Sequence, residues 1–304
     1  MDELPLLRKG EFTVASVLCG VASALWLLIA ARAAQGLGAA TMMALTMAFV
    51  GETVPKQKTG SAMGLLNVAL LLTAAFGVGL FVLAESRAAS PLIQLTMFRD
   101  PGFSASLAMS ALVSTVMMAT LVVGPFYLSR ALGLDAALVG IVMAIGPIIS
   151  TLSGVPAGRI VDRLGAPFMV IVGLIAMAAG AFGLSVLPAM FGIAGYIAAI
   201  AVLTPGYQLF QAANNTAVMM DVHPDQRGVI SGMLSLSRNL GLVTGASVMG
   251  AVFAFASMTT DITTAHPEAV ATGMQITFAV AGVLIFVALA IAIGNRDLTD
   301  YDTP

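Results

Sequence analysis

The chain is poor in cysteine, histidine and charge, and each scarcity excludes a class of protein. Its 304 residues include one cysteine, Cys19, and two histidines, His223 and His266. A single cysteine excludes a disulfide framework and metal ligation by cysteine clusters. Only 9% of residues are charged, 59% are hydrophobic and the mean hydropathy is +1.00. So few charges cannot cover the surface of a water-soluble protein, and the composition indicates a polytopic membrane protein.

The same scarcities limit the partners. Because the chain is so apolar, the lipid bilayer is an expected partner. The net charge is −2 and no basic tract occurs, so nucleic acid is not an expected partner. No nucleophile with its base and no metal-ligand set occurs at readable spacing, so we predict no enzyme and no cofactor. Residues 36–38, GLG, lie within an apolar run that no strand precedes, which favours helix packing over nucleotide binding.

The chain does have about nine long apolar runs, separated by proline, glycine and charge. Hydrocarbon about 30 Å thick needs roughly 20 helical residues to cross it. Barrel strands would alternate apolar and polar residues, and these runs do not, so the predicted fold class is all-α. The predicted spans are residues 12–31, 33–51, 63–83, 103–128, 138–157, 168–187, 190–214, 230–256 and 273–293.

The basic residues predict the orientation of these spans, because lysine and arginine concentrate on the cytoplasmic side. For the last six spans, one choice places six arginines inside and leaves only Arg130 outside. The first two spans likewise favour a cytoplasmic N-terminus. The two halves conflict across run 63–83, since both of its flanks favour the cytoplasm. Either this run enters and returns, or one half is inserted against its charge preference.

Two glycine-rich segments carry a family resemblance. Residues 158–165 read GRIVDRLG, and residues 32–40 read RAAQGLGAA. The first resembles the G-x-x-x-D-R-x-G loop of the major facilitator superfamily. The second resembles the fourth-helix signature R-x-x-Q-G-x-G-A of its fourteen-span drug:proton antiporter branch. Segments similar to its central linker and last three helices are 91–95 PLIQL, 98–99 FR, 210–215 FQAANN, 226–228 QRG and 237–241 SRNLG.

The resemblance implies an internally shortened transporter. The first two runs are similar to the family's third and fourth helices, and the last six are similar to its complete C-terminal bundle. The family's first two helices, several middle helices and its glycine-proline antiporter motif have no counterpart. The implied map is an N-terminal bundle remnant with three hydrophobic segments, a cytoplasmic linker, a C-terminal six-helix bundle and a cytoplasmic tail, at residues 1–83, 84–102, 103–293 and 294–304.

Polar side chains inside the predicted spans are candidate substrate contacts, because polar groups are costly in lipid. In the resembled fold, a polar stripe on run 190–214 would line the central cavity. The alternative is hydrogen bonding between helices with no substrate. Arg238 lies about 12 Å into the next run, unless it snorkels to the surface. The stripe consists of Thr204, Gln208, Gln211 and Asn215, with Asn214 adjacent.

Residues 158–165 are also candidates for gating. As a cytoplasmic latch, Asp162 would pair with Arg159 or Arg163 or would cap a helix. The alternative is positive charge that only sets topology. Glycine at both Gly158 and Gly165 is not needed for charge alone, which favours the latch.

The resemblance also implies a coupling role for an arginine at the head of the family's fourth helix. Arg32 occupies that position, and Gln35 belongs to the same signature. In the family, the arginine takes part in proton coupling near a carboxylate of the first helix, for which this chain has no counterpart. All 15 aspartate and glutamate residues lie in loops, tails or at span ends, and both histidines lie in loops. This argues against autonomous proton antiport by the chain, whatever its ancestry.

The predicted function is efflux of small amphiphilic or cationic compounds by alternating access. The alternative is a truncated, non-transporting remnant that binds or modulates a full-length relative. A halved N-terminal bundle cannot readily seal a cavity, so the expected partners include a second copy or a full-length relative. The predicted location is the bacterial inner membrane, with both termini cytoplasmic.

Overall fold

The helices begin and end where the sequence supplies caps, turns and proline. The computed structural model describes residues 95–220, 222–223, 226–258 and 266–301. Contacts divide the chain into two units, and all of these residues lie in the second, Leu92–Pro304. The predicted spans 12–31, 33–51 and 63–83, and with them Arg32 and Gln35, lie outside the described residues.

Five α-helices follow a short 3-10 helix, Leu95–Arg99. By length and composition, each of the five is able to cross a membrane. The described residues contain helices and turns but no strand, and the predicted all-α membrane fold is confirmed. The helices are α1 Pro101–Phe126, α2 Ala136–Leu164, α3 Ala166–Met219, α4 Arg227–Ala256 and α5 Pro267–Tyr301.

Helix α1 shows how local sequence sets these boundaries. The carboxylate of Asp100 accepts a hydrogen bond of 2.9 Å from the backbone N–H of Gly102, and Pro101 occupies the first turn. Both residues suit a helix start, where the first N–H groups have no partner within the helix. Near the other end, Pro125 lacks an N–H, and the helix then widens into a π turn, Tyr127–Ala131.

Helix α3 has 54 residues and bends back on itself at Gly192. A straight helix of that length would extend about 80 Å, far more than one crossing needs. Gly192 adopts φ 57° and ψ −130°, which divides α3 into two arms, residues 166–191 and 193–219. The sequence placed this break between residues 187 and 190. That placement is wrong, because Pro188 continues the helix and the positive φ falls at glycine.

The two arms of α3 form an antiparallel hairpin in which glycines allow the backbones to touch. A Cβ added at Gly180 would lie 2.6 Å from the backbone nitrogen of Leu203. One added at Gly173 would lie 2.7 Å from the backbone nitrogen of Phe210. Small residues promote such close packing between helices in lipid. With α3 counted as two arms, the described helices provide six segments.

The segment 158–165 is helical, which corrects the predicted tight loop. Helix α2 continues through Gly158, Asp162 and Arg163 to Leu164, and only Gly165, at φ 87°, separates it from α3. Its arginine, isoleucine, valine and leucine side chains do not break a helix, and a single interior glycine is tolerated. The latch residues therefore lie on the last turns of a membrane helix.

Helices α1 and α4 run parallel and in close contact. A Cβ added at Gly241 would lie 2.8 Å from Cβ of Ser114, and one at Gly245 would lie 2.8 Å from Cβ of Met118. The hydroxyl of Thr115 donates to the carbonyl of Gly241 at 3.0 Å. The glycine pair of α4 therefore packs within the bundle, as its spacing predicts. The similarly spaced glycines of α2, at positions 154 and 158, have no described neighbour within 4 Å.

The described core lies among α1, α3, α4 and α5, and α2 contributes little to it. Phe210, Phe253 and Phe278 are fully buried in this core. Only 6% of the most apolar stretch of α2 is buried, against 56% for α1. Helix α2 thus forms a largely uncovered wall beside the second arm of α3.

Candidate functional site

A cavity of about 330 Å³ lies between α1, α2, the second arm of α3 and α4. We call it the mid-bundle cavity. Its wall is mostly apolar but includes four tyrosine or threonine side chains from α1 and α3, those of Thr120, Tyr196, Thr204 and Tyr207. A greasy pocket with a few polar groups is typical of small-molecule sites. The remaining lining residues are Met117, Leu121, Val142, Met143, Gly146, Pro147, Ser150, Ile200 and Leu242.

Gln208 ties two walls of this cavity together. Its side-chain amide donates to the hydroxyl of Ser150 and, at 3.3 Å, to the carbonyl of the same residue. Ser150 lies on α2 and lines the cavity, whereas Gln208 lies on α3. The predicted cavity residue Thr204 does line the cavity and is 4% exposed. Gln208 acts instead as a link between helices at the cavity's edge.

A second cavity, of about 580 Å³, lies at the end of the bundle where α1 and α4 begin. It is lined by the beginnings of α1, α4 and the first arm of α3 and by the ends of α5 and of the second arm of α3. We call it the basic-end cavity, since Arg99, Arg163 and Arg227 lie at helix ends on this side. The predicted residue Asn214 lines it and donates to the carbonyl of Ser106 at 3.4 Å.

Several buried polar atoms between the two cavities have no described hydrogen-bond partner. Both side-chain polar atoms of Gln211 are unsatisfied, as is the amide oxygen of Asn214. The hydroxyls of Ser110 and Ser114, on the facing helix α1, are in the same state. Buried polar groups without partners are costly, so this cluster requires an explanation beyond packing.

The predicted set is therefore distributed over several environments and does not line one cavity. Thr204 lies in the mid-bundle cavity, Gln208 bonds α2, Gln211 lies between the cavities and Asn214 lines the basic-end cavity. Asn215 is half-buried and lines neither.

Arg238 is also half-buried and lines neither cavity, and its buried Nε has no described partner. Away from the helix ends, it is the one charged side chain in the described residues. Its charge is positive, and the described part of the chain offers it no ion pair. The snorkelling alternative predicts contact with the surface, which its partial exposure allows.

The gating candidates lie at the basic end. Asp162 and Arg163 are exposed on the last turns of α2, and within the described residues neither forms an ion pair. Helix α3, which begins next, has no side-chain cap at its N-terminus, so Asp162 does not cap it. Gly158 is helical and Gly165 supplies the turn. The latch contacts inferred from sequence are therefore absent from the described residues.

The sequence reasoning missed most of the residues that line the mid-bundle cavity. Tyr196, Tyr207 and Ser150 sit within apolar runs, where a hydroxyl is unremarkable unless the helix rotation is known. The hydroxyl of Tyr196 donates to the sulfur of Met143 at 3.5 Å across the cavity. One signal was available, since the methionine pair at residues 117–118 indicates an adaptable apolar surface, and Met117 does line the cavity.

The amino-acid sequence matches that of a known protein family over most of its length. The Major Facilitator Superfamily model matches residues 12–86 and 81–246. The five long apolar helices are those of a polytopic membrane protein. The chain belongs to the Major Facilitator Superfamily.

Curated relatives are 24–29% identical to the chain over the aligned residues. The Escherichia coli (strain K12) protein named uncharacterized transporter YebQ is 29% identical over 213 residues, which cover 70% of this chain and 46% of YebQ. The multidrug efflux pump LfrA of Mycolicibacterium smegmatis is 26% identical, over 59% of this chain and 37% of LfrA. The chain spans about half the length of the curated relatives that it matches, or less.

Solved structures show the same fold. A bacterial homologue of the human lysosomal transporter Spinster, inward-facing and occupied, matches with a TM-score of 0.54 at 15% identity. The match covers 96% of this chain and 81% of that one. A bacterial homologue of the iron transporter ferroportin, outward-facing, matches with a TM-score of 0.51 at 17% identity, over 96% and 81%. The chain is thus an integral membrane protein of transporter fold.

Proposed function

We propose that the chain forms part of an efflux transporter for small amphiphilic compounds that bind in the mid-bundle cavity. The carrying observation is the cavity itself, which has a volume of about 330 Å³ and a mostly apolar wall that includes two threonines and two tyrosines. Such a site suits a flat or flexible ligand with one polar group. The names of relatives such as LfrA and the quinolone resistance protein NorB of Staphylococcus aureus support efflux as the activity and drug-like compounds as the substrate class.

Cationic substrates receive less support than amphiphilic ones. The mid-bundle cavity is lined by no carboxylate, and the charged side chain within the described spans, Arg238, is a cation. A bound cation in a site of low polarity requires a compensating negative charge or aromatic faces. Two tyrosines, Tyr196 and Tyr207, are among the lining residues.

Proton antiport belongs to the proposed ancestry of the protein. Among the described residues, the acidic side chains of Asp100 and Asp135 immediately precede α1 and α2, and Asp162 lies at the end of α2. None of these three lines the mid-bundle cavity. We propose that alternating access involves the basic end as the cytoplasmic side of an inner membrane, with Arg130 outside and both termini inside. Arg159, Arg163 and Arg227 support that orientation.

An efflux assay tests the proposal. The full chain is expressed in bacteria that lack related pumps, and accumulation of a neutral and a cationic fluorescent amphiphile is measured. We expect lower accumulation of the neutral probe, and Thr204→Val should abolish most of that effect. The matched control is Thr272→Val, which removes an exposed hydroxyl on α5 that bonds only the carbonyl of Glu268. Unchanged accumulation at normal membrane abundance would reject autonomous efflux.

The second candidate function is modulation of a full-length relative by this shorter chain. It is supported by the large apolar surface that α2 presents, including Ile148, Leu152 and Val155 at 55–71% exposure. The alignments cover less than half of YebQ or LfrA, so a partner could supply further helices. Co-expression with a full-length pump distinguishes the two. If the chain alters the efflux of that pump but shows no efflux alone, modulation is the function. If two copies of the chain pair to form a transporter, efflux should occur without the relative.

A further inference from the structure

The two cavities are separated by a short stretch of bundle in which several buried side-chain polar atoms have no described partner. Helix α1 and the second arm of α3 run antiparallel here. Ser106 on α1 and Asn214 on α3 line the basic-end cavity, whereas Met117 and Thr204 line the mid-bundle cavity. The helix turns between these residues therefore form the partition between the cavities.

Three polar side chains in that partition have no described hydrogen-bond partner, and we call them the septum: Ser110, Ser114 and Gln211. Ser110 lies one turn after Ser106, and Ser114 lies one turn further. Gln211 lies one turn from Asn214 and one turn from Tyr207. The septum thus continues, turn by turn, from the lining of one cavity to the lining of the other.

The septum is deeply buried yet lacks protein partners. The exposed fractions are 1% for Ser110, 0% for Ser114 and 7% for Gln211. Both hydroxyls and both polar atoms of the Gln211 amide have no hydrogen-bond partner among the described residues. The amide oxygen of Asn214, at the edge of the basic-end cavity, is also unpaired. Groups of this kind are ordinarily satisfied by buried water when protein atoms do not serve.

The chemistry of the unpaired atoms selects a neutral ligand. The set contains donors, the Gln211 N–H groups, and acceptors, the oxygens of Gln211 and Asn214, together with hydroxyls that act as both. Water matches a mixed set of this kind. A metal cation would find no carboxylate there, and the charged side chain within the described spans, Arg238, is itself a cation.

We propose that the septum binds water and joins the basic-end cavity to the mid-bundle cavity by a hydrated passage inside the bundle. Such a passage lets water enter or leave the mid-bundle cavity at the basic end when a ligand binds or departs. It does not depend on which molecule the cavity takes. Gln211 and Asn214 thereby serve solvent instead of the substrate.

Cysteine labelling tests the passage in the full chain. In a Cys19→Ser background, Ser110→Cys and Ser114→Cys are treated in membrane vesicles with the small reagent 2-aminoethyl methanethiosulfonate. The matched control is Val113→Cys, which is also 0% exposed on α1 but faces the apolar core. The thiolate is the reactive form and forms poorly in apolar surroundings, so the serine positions should react at least about tenfold faster than Val113→Cys. Gln211→Leu should slow the reaction of Ser114→Cys.

Three outcomes would overturn the proposal. Reaction at both serine positions as slow as at Val113→Cys would mean that the septum is dry. Protection of Ser114→Cys by sodium but not by equal choline would assign a cation in place of water. If the cysteine variants do not remain monodisperse, water-edited solid-state NMR of the unsubstituted protein decides. Magnetisation transfer from water to the Gln211 side-chain amide that is as slow as transfer to Val113 would then reject the passage. Faster transfer to Gln211 than to Val113 would support it.

Discussion

The side-chain amide of Gln208 donates a hydrogen bond to the hydroxyl of Ser150, joining α3 to α2 beside the mid-bundle cavity. Few residues of α2 are buried, and this bond adds a polar link to the apolar contacts that Val142, Met143 and Ile149 make with the core. The pair lets the contribution of one polar contact to the cavity wall be measured.

Gln208→Leu should lower the free energy of unfolding by about 1 kcal/mol, a usual value for a hydrogen bond between membrane helices. Ser150→Ala should cost less, because the carbonyl of that residue still accepts from Gln208 at 3.3 Å. Thermal unfolding in detergent measures both variants and the double variant. We expect the double variant to lose less than the sum of the single losses, and strict additivity would show that the two side chains do not interact.

Gly241→Ala should strongly destabilise the contact between α1 and α4. The added methyl would meet the carbonyl of Ala111 and lie 2.8 Å from Cβ of Ser114, so the helices must separate. Overpacking of this kind costs about 1–3 kcal/mol. The control is Gly232→Ala on the same helix, where no described atom lies within 4 Å and alanine's helix propensity should be neutral or slightly stabilising. Equal melting temperatures for the two variants would contradict the close contact.

Gly192→Ala should disturb the turn between the arms of α3. Its φ of 57° with ψ of −130° is unfavourable for a residue with Cβ, and we expect a loss of about 1–3 kcal/mol. Space is not the cause, since no described atom lies within 4 Å of the added carbon. Gly140→Ala, in an open helical position of α2, is the control and should not destabilise. The observable is again the unfolding midpoint in detergent.

Two aspartates at the two ends of α2 should differ in their effect on stability. Asp135 caps the helix by accepting from the backbone N–H of Leu138 at 2.8 Å, so Asp135→Ala should cost about 1 kcal/mol. Asp162 is exposed and has no ion pair in the described residues, so Asp162→Ala should change stability by less than about 0.5 kcal/mol. If Asp162→Ala also leaves efflux unchanged, the proposed latch is rejected. Loss of efflux at unchanged stability would support it.

The membrane fold was predictable because long apolar runs leave few alternatives in a chain with so little charge. The exact position of each turn was less accessible. The proline at position 188 and the glycine at position 192 are both common in turns. Only the backbone angles show that Pro188 continues the helix while Gly192 ends it. For the same reason, the segment 158–165 was predicted as a loop although Gly165 alone provides the turn.

The candidate site was predicted only in part. Amide side chains stand out in an apolar run, so Gln208, Gln211 and Asn214 could be selected from sequence. Which neighbour each would meet depends on the rotation of α1, α2 and α3 about their axes, which sequence spacing does not give. Ser150 and Tyr207 were missed for that reason, although they line the mid-bundle cavity.

The sparse packing of α2 has an evolutionary consequence. A helix whose apolar side chains touch so few neighbours within the bundle places weak demands on the size and shape of those side chains. Exchanges among leucine, isoleucine, valine and phenylalanine at Ile148, Leu152 or Val155 should therefore cost the bundle little, since these side chains are 55–71% exposed. Among descendants of this gene, the exposed positions of α2 are expected to diverge faster than its positions at the mid-bundle cavity, and new surface chemistry can arise on them without loss of the fold.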